Sequence, residues 1–224
     1  MLRLLRLLPV CLVFAAAASP PAKADDAVPA LTFACGDVCK AANAKLAADD
    51  AAELGRLPGQ VKATVDATYD RSTLPSVPAA TDIATQLLRG RFDGDFTGIK
   101  PGVHTCTVYW FGFLDNASER VGMHKCTVAR RGGALTVEKT TGDGFAARLV
   151  PYAGGIEAVI GRTYLPGGRT RAYDRAHPAD ASNRNYGDKV GLALADKGRL
   201  FLVSINERGF TEPDDTFFEV IAVE

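Results

Sequence analysis

Two five-residue segments of the chain share one pattern and lie twenty residues apart. His-Thr-Cys-Thr-Val occupies residues 104–108, and His-Lys-Cys-Thr-Val occupies residues 124–128. Each segment has the period-two alternation of a β-strand, which places its histidine and its cysteine on the same face. Two neighbouring strands of this kind could hold a metal ion or form a disulfide bond, and either would fix how the chain folds around them.

A hairpin made of these strands favours the disulfide. If strands 103–114 and 121–130 pair with a register centred near Asn116, Cys106 lies opposite Cys126, within the ~5.5 Å that a disulfide tolerates. The same register places His104 opposite Val128 and His124 opposite Val108, so the histidines lie roughly 13 Å apart along the sheet. Zinc ligands must converge to about 2.0–2.3 Å from the ion. We therefore predict a Cys106–Cys126 bridge, with no metal and no cofactor.

The first 24 residues predict export. Arg3 and Arg6 precede an apolar run at 7–18, and Ala-Lys-Ala at 22–24 supplies the small residues of a cleavage site. We expect a signal peptide over 1–24, cleavage after Ala24, and a mature protein in the periplasm or secreted. The run is shorter than the ~20 residues of a spanning helix, so no stable membrane span is predicted.

The charge and cysteine content of residues 25–224 exclude some partners and predict others. This part has 23 basic and 26 acidic residues, a net charge of about −3, and no basic cluster suited to a phosphate backbone. Nucleic acid is therefore not an expected partner. Four cysteines remain in an oxidising compartment, and an even number of this kind predicts two disulfides with three possible connectivities.

The composition changes near Arg89 and divides the chain after the leader into two parts. Residues 25–90 form an alanine-rich segment in which we predict a helix over 40–57 that stops at Pro58-Gly59, and a second over 61–69. A connector at 72–78 and one or two helical turns at 81–88 follow. Residues 91–224 form the predicted antiparallel β domain.

Short runs rich in Val, Ile, Thr, Tyr and Phe dominate this second part, separated by glycine turns. The predicted strands are 91–97, 103–114, 121–130, 134–140, 144–151, 155–164, 168–174, 188–195, 198–205 and 216–223. Their short spacing favours hairpins over helical crossovers. We therefore predict a mainly β fold, an antiparallel meander closing into a small β-barrel or forming a sandwich, after an α-helical N-terminal preface. The barrel is favoured because closure removes the sheet edges.

A second pair of cysteines lies in the stretch Phe-Ala-Cys-Gly-Asp-Val-Cys-Lys at 33–40. This stretch resembles the Cys-Pro-Asp-Val-Cys-Pro motif of the Sco family, copper-handling proteins with a thioredoxin-like fold. The resemblance implies copper binding or thiol-redox chemistry by Cys35 and Cys39, with His124 as a further metal ligand. The other interpretation is a short-loop disulfide between Cys35 and Cys39.

A broader resemblance covers about residues 91–224. Cys106, Cys126 and the aromatic segment between them, the Glu-Lys-Thr-Thr-Gly run at 138–142, and the stretches at 186–188 and 214–220 carry it. This part is similar to an uncharacterised family of secreted proteobacterial proteins that share a domain of unknown function. The resemblance implies a disulfide-bearing periplasmic β domain, and it implies no activity and no functional residues.

The sequence contains no recognisable catalytic constellation. His177 lies in a polar loop near Asp180 and Ser182, which raises a hydrolytic hypothesis, but loop spacing does not place a base beside a nucleophile. An exposed loop histidine is the simpler interpretation. We therefore predict a protein that is not an enzyme.

The aromatic run at 109–113 is the candidate binding face. Alternation places Trp110 on the face of Cys106, whereas Tyr109, Phe111 and Phe113 share the other face. These aromatics either pack in the core, line a cavity for an apolar ligand, or form a protein-binding surface. We predict a non-catalytic binding module for a small apolar ligand or an envelope protein, such as an envelope inhibitor. Copper binding or thiol-redox chemistry through Cys35 and Cys39 is the alternative, and the oligomeric state is not predicted.

Overall fold

A computed structural model describes residues 34–70, 92–112, 118–179, 186–207 and 216–224, and for 65–70, 118–119, 206–207 and 216 it describes the backbone alone. The predicted leader at 1–24, the connector at 72–78 and the helical turns at 81–88 lie outside these residues. Within the described part of the chain, no helix is both long enough and apolar enough to cross a membrane.

Eight antiparallel strands form a closed barrel in which each strand pairs with its neighbours along the chain and β8 pairs with β1. The predicted mainly β barrel is therefore confirmed. The strands are β1 Gly102–Phe111, β2 Ser118–Arg131, β3 Ala134–Lys139, β4 Gly144–Ala153, β5 Ile156–Tyr164, β6 Asp188–Asp196, β7 Arg199–Glu207 and β8 Thr216–Val223.

Alternate side chains of all eight strands meet inside the barrel. They form one apolar cluster in which every buried member is 7% exposed or less. Leu135, Leu149 and Leu200 lie at its centre and are at most 2% exposed. Because a water-filled cavity would leave its lining accessible, these positions form a packed core, as expected for a barrel of this size.

One end of the barrel is covered by residues 92–100, which we call the closing segment. The Gly94 amide donates to the Ala195 carbonyl at 3.0 Å, and Arg130 donates to the Phe96 carbonyl at 2.6 Å. Ile99 is buried in the interior cluster. The prediction of a strand over 91–97 is wrong, because the described residues 92–97 include no strand and the 3-10 helix Phe96–Gly98 begins within them. The Asp95 side chain accepts from the amides of the two residues after Phe96, which favours a turn over a strand.

Two helices pack on the outside of the barrel, α1 Asp37–Asn43 and α2 Ala48–Asp70. The structure corrects the predicted helices, because residues 44–47 form a non-helical connection and α2 continues through Pro58. Proline removes one helical hydrogen bond. However, Leu54, Leu57 and Val61 lie on both sides of it and are at most 5% exposed. Their packing against the barrel stabilises the continuous helix.

Both predicted disulfides are present, Cys35–Cys39 and Cys106–Cys126. The predicted register around the second bridge is wrong by two residues, because Cys106 lies opposite His124 and His104 lies opposite Cys126. The bridge therefore joins a diagonal pair, with 5.7 Å between the Cα atoms. The twist of the sheet shortens one diagonal. The hairpin also contains a bulge at Val108/Tyr109, which a simple count from the loop does not include.

Candidate functional site

The structure distributes the predicted aromatic face over both sides of the sheet. Tyr109 and Phe111 point outward and are buried in the cluster between the barrel and the helices, where Phe111 stacks on Phe218 with ring centroids 4.4 Å apart. Trp110 points into the barrel and is half-buried. Phe113 lies outside the described residues. The described members of this run are therefore packing residues, and the two outward ones form no exposed surface.

The structure does not bring together the residues of the copper hypothesis. Cys35 and Cys39 are bridged, and residues 36–38 line a groove of about 390 Å³ beside the hairpin between β4 and β5. His124 lies at the other end of β4, where its ring contacts the Thr141 hydroxyl at 3.5 Å. Among the described residues, no group of three or more His, Cys, Asp or Glu side chains is close enough together to hold a metal ion.

The other two histidines contact backbone and loop groups. Both ring nitrogens of His104 face carbonyl oxygens, those of Lys100 at 2.8 Å and Glu224 at 3.1 Å. His177 contacts the Asp174 carboxylate at 3.0 Å, and its side chain is 80% exposed. Asp180 and Ser182, the remaining members of the hydrolytic hypothesis, lie outside the described residues. The structure therefore places the His177 side chain on the surface.

A charged network lies inside the barrel, next to the packed core. Glu219 accepts from Lys189 Nζ at 2.7 Å and from Trp110 Nε1 at 2.9 Å. Burial raises the pKa of the Glu219 carboxyl group, but the charge of Lys189 and these hydrogen bonds outweigh it and hold the pKa below its ordinary value. Both carboxylate oxygens therefore have a partner, and the network balances a charge that the core would otherwise exclude.

Lys139 adds a second buried cation to this end of the barrel. Its ammonium group donates to the carbonyl oxygens of Thr141 and Asp143, and burial lowers its pKa. The same end contains His124, whose pKa is lowered by burial and by the charge of Lys139. These groups form an internal polar layer whose hydrogen-bonding partners come from the chain itself. We therefore assign the layer a role in stability rather than in ligand binding.

Residues 165–179, which we call the crossing segment, run across the outer face of the barrel. A buried ion pair fixes them, because Arg162 contacts Asp188 at 2.7 Å and both side chains are at most 4% exposed. Arg162 also donates to the carbonyl oxygens of His177 and Ala179. The prediction of a strand over 168–174 is wrong, because this stretch is held to the barrel by side chains rather than by a backbone ladder.

An outer groove lies between the crossing segment and the outward face of β2 to β5. Its volume is about 580 Å³, within the range of about 300–1,000 Å³ typical of small-molecule sites. Small and apolar side chains form its floor. The floor consists of Thr127, Ala129, Thr136, Ala146, Val150 and Ile160.

Two hydroxyl groups fix the wall of the outer groove. Tyr173 donates to the Asp50 carboxylate and accepts from the Ala47 amide at 2.8 Å, which ties the crossing segment to the start of α2. Burial raises the pKa of Tyr173, and the Asp50 carboxylate raises it further, so the phenol stays protonated. Thr170 donates to the Glu138 carboxylate, which also accepts from Tyr164 at 3.1 Å. The groove is therefore preformed by contacts among helix, segment and sheet.

Sequence reasoning missed this groove and the ion pair that supports it. Arg162 lies near the end of a mostly apolar strand and Asp188 begins another, so in the sequence each resembles a solvent-exposed charge at a strand end. The available signal was the unusually long interval between β5 and β6, because a long connection in a compact domain commonly forms a functional surface. No protein-family model, curated protein or solved structure matches the chain.

Proposed function

We propose that the protein is a non-catalytic binding module of the bacterial envelope that takes a small ligand with an apolar portion in its outer groove. The observation that carries this proposal is the preformed cavity of about 580 Å³, with an apolar floor, on the outside of a rigid barrel. The packed interior supports the same assignment, because the outer face offers space that the described core does not.

The two disulfides support an exported protein, since such bonds persist in oxidising compartments. They also support a binding role. A ligand site held in place before binding loses little conformational entropy when the ligand arrives. The Cys106–Cys126 bridge and the closed sheet restrain the floor of the groove, and the contacts of Tyr173 restrain its wall.

A groove-filling variant tests the proposal. The half-buried side chain of Ala129 lies on the floor, so Ala129→Trp occupies the space of the ligand. Thr105→Trp is the matched control, because Thr105 is an exposed strand residue of β1 that does not line the groove. With Nile red as a neutral apolar probe, we expect saturable binding by the wild type and by Thr105→Trp, and at least about tenfold weaker binding by Ala129→Trp. Equal binding by all three proteins at unchanged unfolding temperature contradicts the proposal.

Copper binding or thiol-redox chemistry through Cys35 and Cys39 predicts different measurements. That function requires the bridge to open, because copper binds the thiolates. Elemental analysis and thiol counting on protein purified from the periplasm separate the two functions. Two intact bridges and no copper support the binding module, whereas stoichiometric copper with two free thiols supports the alternative.

A further inference from the structure

We infer that the ligand of the outer groove is an amphipathic anion, an apolar chain or ring carrying a carboxylate or phosphate group. This inference rests on the proposed function and adds the charge of the ligand. Four cationic side chains line the groove against one carboxylate, Glu138. The cations are Lys45, Arg131, Arg148 and Arg171.

The cations come from separate parts of the fold. Arg131 ends β2, Arg148 lies in β4, and Lys45 and Arg171 belong to the segments packed above the sheet. Among the described residues, no ion-pair partner is found for Lys45, Arg131 or Arg148. The sheet and the segments packed above it thus both present positive charge to the outer groove, although the chain as a whole has no excess of basic residues.

The strand register defines where an anionic group would lie. Thr136 pairs with Ala129 on one side and with Arg148 on the other, and Arg148 pairs with Ile160. Arg131 is one outward position further along β2, so the two arginine Cα atoms are roughly 12 Å apart by strand spacing and rise. Two arginine side chains can reach a shared carboxylate or phosphate from that separation, and their planar donors suit either group.

The one acidic group of the lining is already engaged. Glu138 Oε1 accepts from both Tyr164 and Thr170, so the carboxylate is held at the wall of the groove by these two hydroxyl groups. The apolar residues Val150 and Ile160 occupy the floor beside Arg148. An amphipathic anion matches this division, because its charged group meets the arginines while its apolar part covers the floor. A neutral apolar ligand would supply no counter-charge to Arg131 and Arg148, neither of which forms an ion pair with another described residue.

Competition with bound Nile red compares ligands that differ only in the head group: decanoate, decyl phosphate and decanol. We expect decanoate to bind about tenfold more tightly than decanol at low salt, a difference that added salt reduces. Competition by decyl phosphate shows whether the groove prefers a phosphate or a carboxylate head group. Tighter binding of either anion than of decanol supports the inference. Equal competition by decanol and both anions overturns the inference but leaves the proposed function standing. Failure of Nile red itself to bind contradicts both.

Charge-removing variants assign the preference to the groove. Arg131→Gln combined with Arg148→Gln should abolish the advantage of decanoate over decanol, because decanoate loses the positive charges that its head group contacts. Lys125→Gln is the matched control, because Lys125 is an exposed cation of β2 outside the groove. The control should keep the advantage. If both variants lose it equally, the preference reflects the general charge of the surface and the inference is overturned.

Discussion

Glu219 provides the only carboxylate in the described internal polar layer, where two lysine side chains also lie. Its side chain is 13% exposed, and that of Lys189 is 12% exposed. Removing the charge takes from Lys189 the carboxylate that it contacts at 2.7 Å, and breaking a buried pair costs about 3–5 kcal/mol. The residual exposure reduces this figure. We expect Glu219→Gln to lower the free energy of unfolding by about 2–3 kcal/mol, measured by urea denaturation at pH 7.

Trp110→Phe is the comparison for that experiment. It removes the hydrogen bond of 2.9 Å to Glu219 and keeps the aromatic packing against Phe217, where the ring centroids are 5.0 Å apart. A hydrogen bond to a charged group contributes about 1.5–3 kcal/mol. A loss in Trp110→Phe that exceeds the loss in Glu219→Gln would show that charge balance is not the main contribution of this layer.

The same layer makes stability depend on pH through His124. Its folded pKa is lowered from 6.5 by burial and by Lys139, so the neutral ring is favoured in the folded protein. This contribution is present above pH 6.5 and is lost as the pH falls from there through the folded pKa. Glu219, whose pKa is also lowered, adds a loss at pH values below 4.5. We expect His124→Gln to show a smaller decrease in unfolding free energy between pH 7.5 and 5 than the wild type, and equal slopes contradict this assignment.

The residues around the second disulfide show how far sequence reasoning reaches. Two cysteines on matching strands of an exported chain predict a bridge, because pairing requires only proximity and an oxidising compartment. The register was not predicted correctly, because Phe111 pairs with Ser118, which centres the hairpin before Asn116, and because a diagonal pair of cysteines can also bridge. The polar layer was not predicted either. Lys139, Lys189 and Glu219 lie on three different strands, and closure of the barrel alone brings them together.

The closing segment contacts the barrel through backbone groups that leave no space for a side chain. A Cβ atom on Gly94 would lie 2.9 Å from the Gly155 Cα atom, at a φ of +66°. Gly133 has a φ of +81° with open space around it, so Gly133→Ala reports the conformational cost alone. We expect Gly94→Ala to destabilise the protein by about 1–2 kcal/mol more than Gly133→Ala, because two backbones must separate.

Amide hydrogen exchange shows which part of the protein is destabilised by Gly94→Ala. The Gly94 amide bonds to Ala195, and the Lys197 amide donates to Asp93 at 2.8 Å. Both amides should lose protection in Gly94→Ala, whereas amides of β3 and β4 should keep theirs. Loss of protection throughout the barrel would mean that the closing segment and the sheet unfold together.

Local sequence signals determine where some helices and strands begin and end, whereas packing against the rest of the protein determines the others. The two-residue turns at 132–133, 154–155 and 197–198 have positive φ at both residues, the conformation that glycine permits, and they mark three hairpins correctly. Pro58 is a local stop signal, yet α2 continues because Leu57 before it and Val61 after it pack on the barrel. Residues 168–174 have the composition of a strand, but the closed sheet has no free edge to pair with them.

The barrel, the helices and the crossing segment depend on one another through a few polar side chains. Tyr173 connects the crossing segment to α2, and Arg162 connects it to the barrel. The wall of the outer groove is thus held on one side by α2 and on the other by the barrel. A variant that releases the crossing segment should therefore affect ligand binding more than it affects the core of the barrel.

Arg162→Met tests this coupling between groove and barrel. The substitution leaves the Asp188 carboxylate, 1% exposed, without its cationic partner, so that among the described residues only the Asp174 amide still donates to it, and frees the carbonyl oxygens of His177 and Ala179. We expect a loss of about 3–5 kcal/mol in unfolding free energy, partly restored by adding Asp188→Asn, because the second change removes the unpaired buried charge. Limited proteolysis should cut within 170–179 in Arg162→Met before it cuts the strands. If the double variant regains stability but still binds Nile red weakly, the ion pair positions the groove wall; full recovery of binding would mean that the crossing segment is held without it.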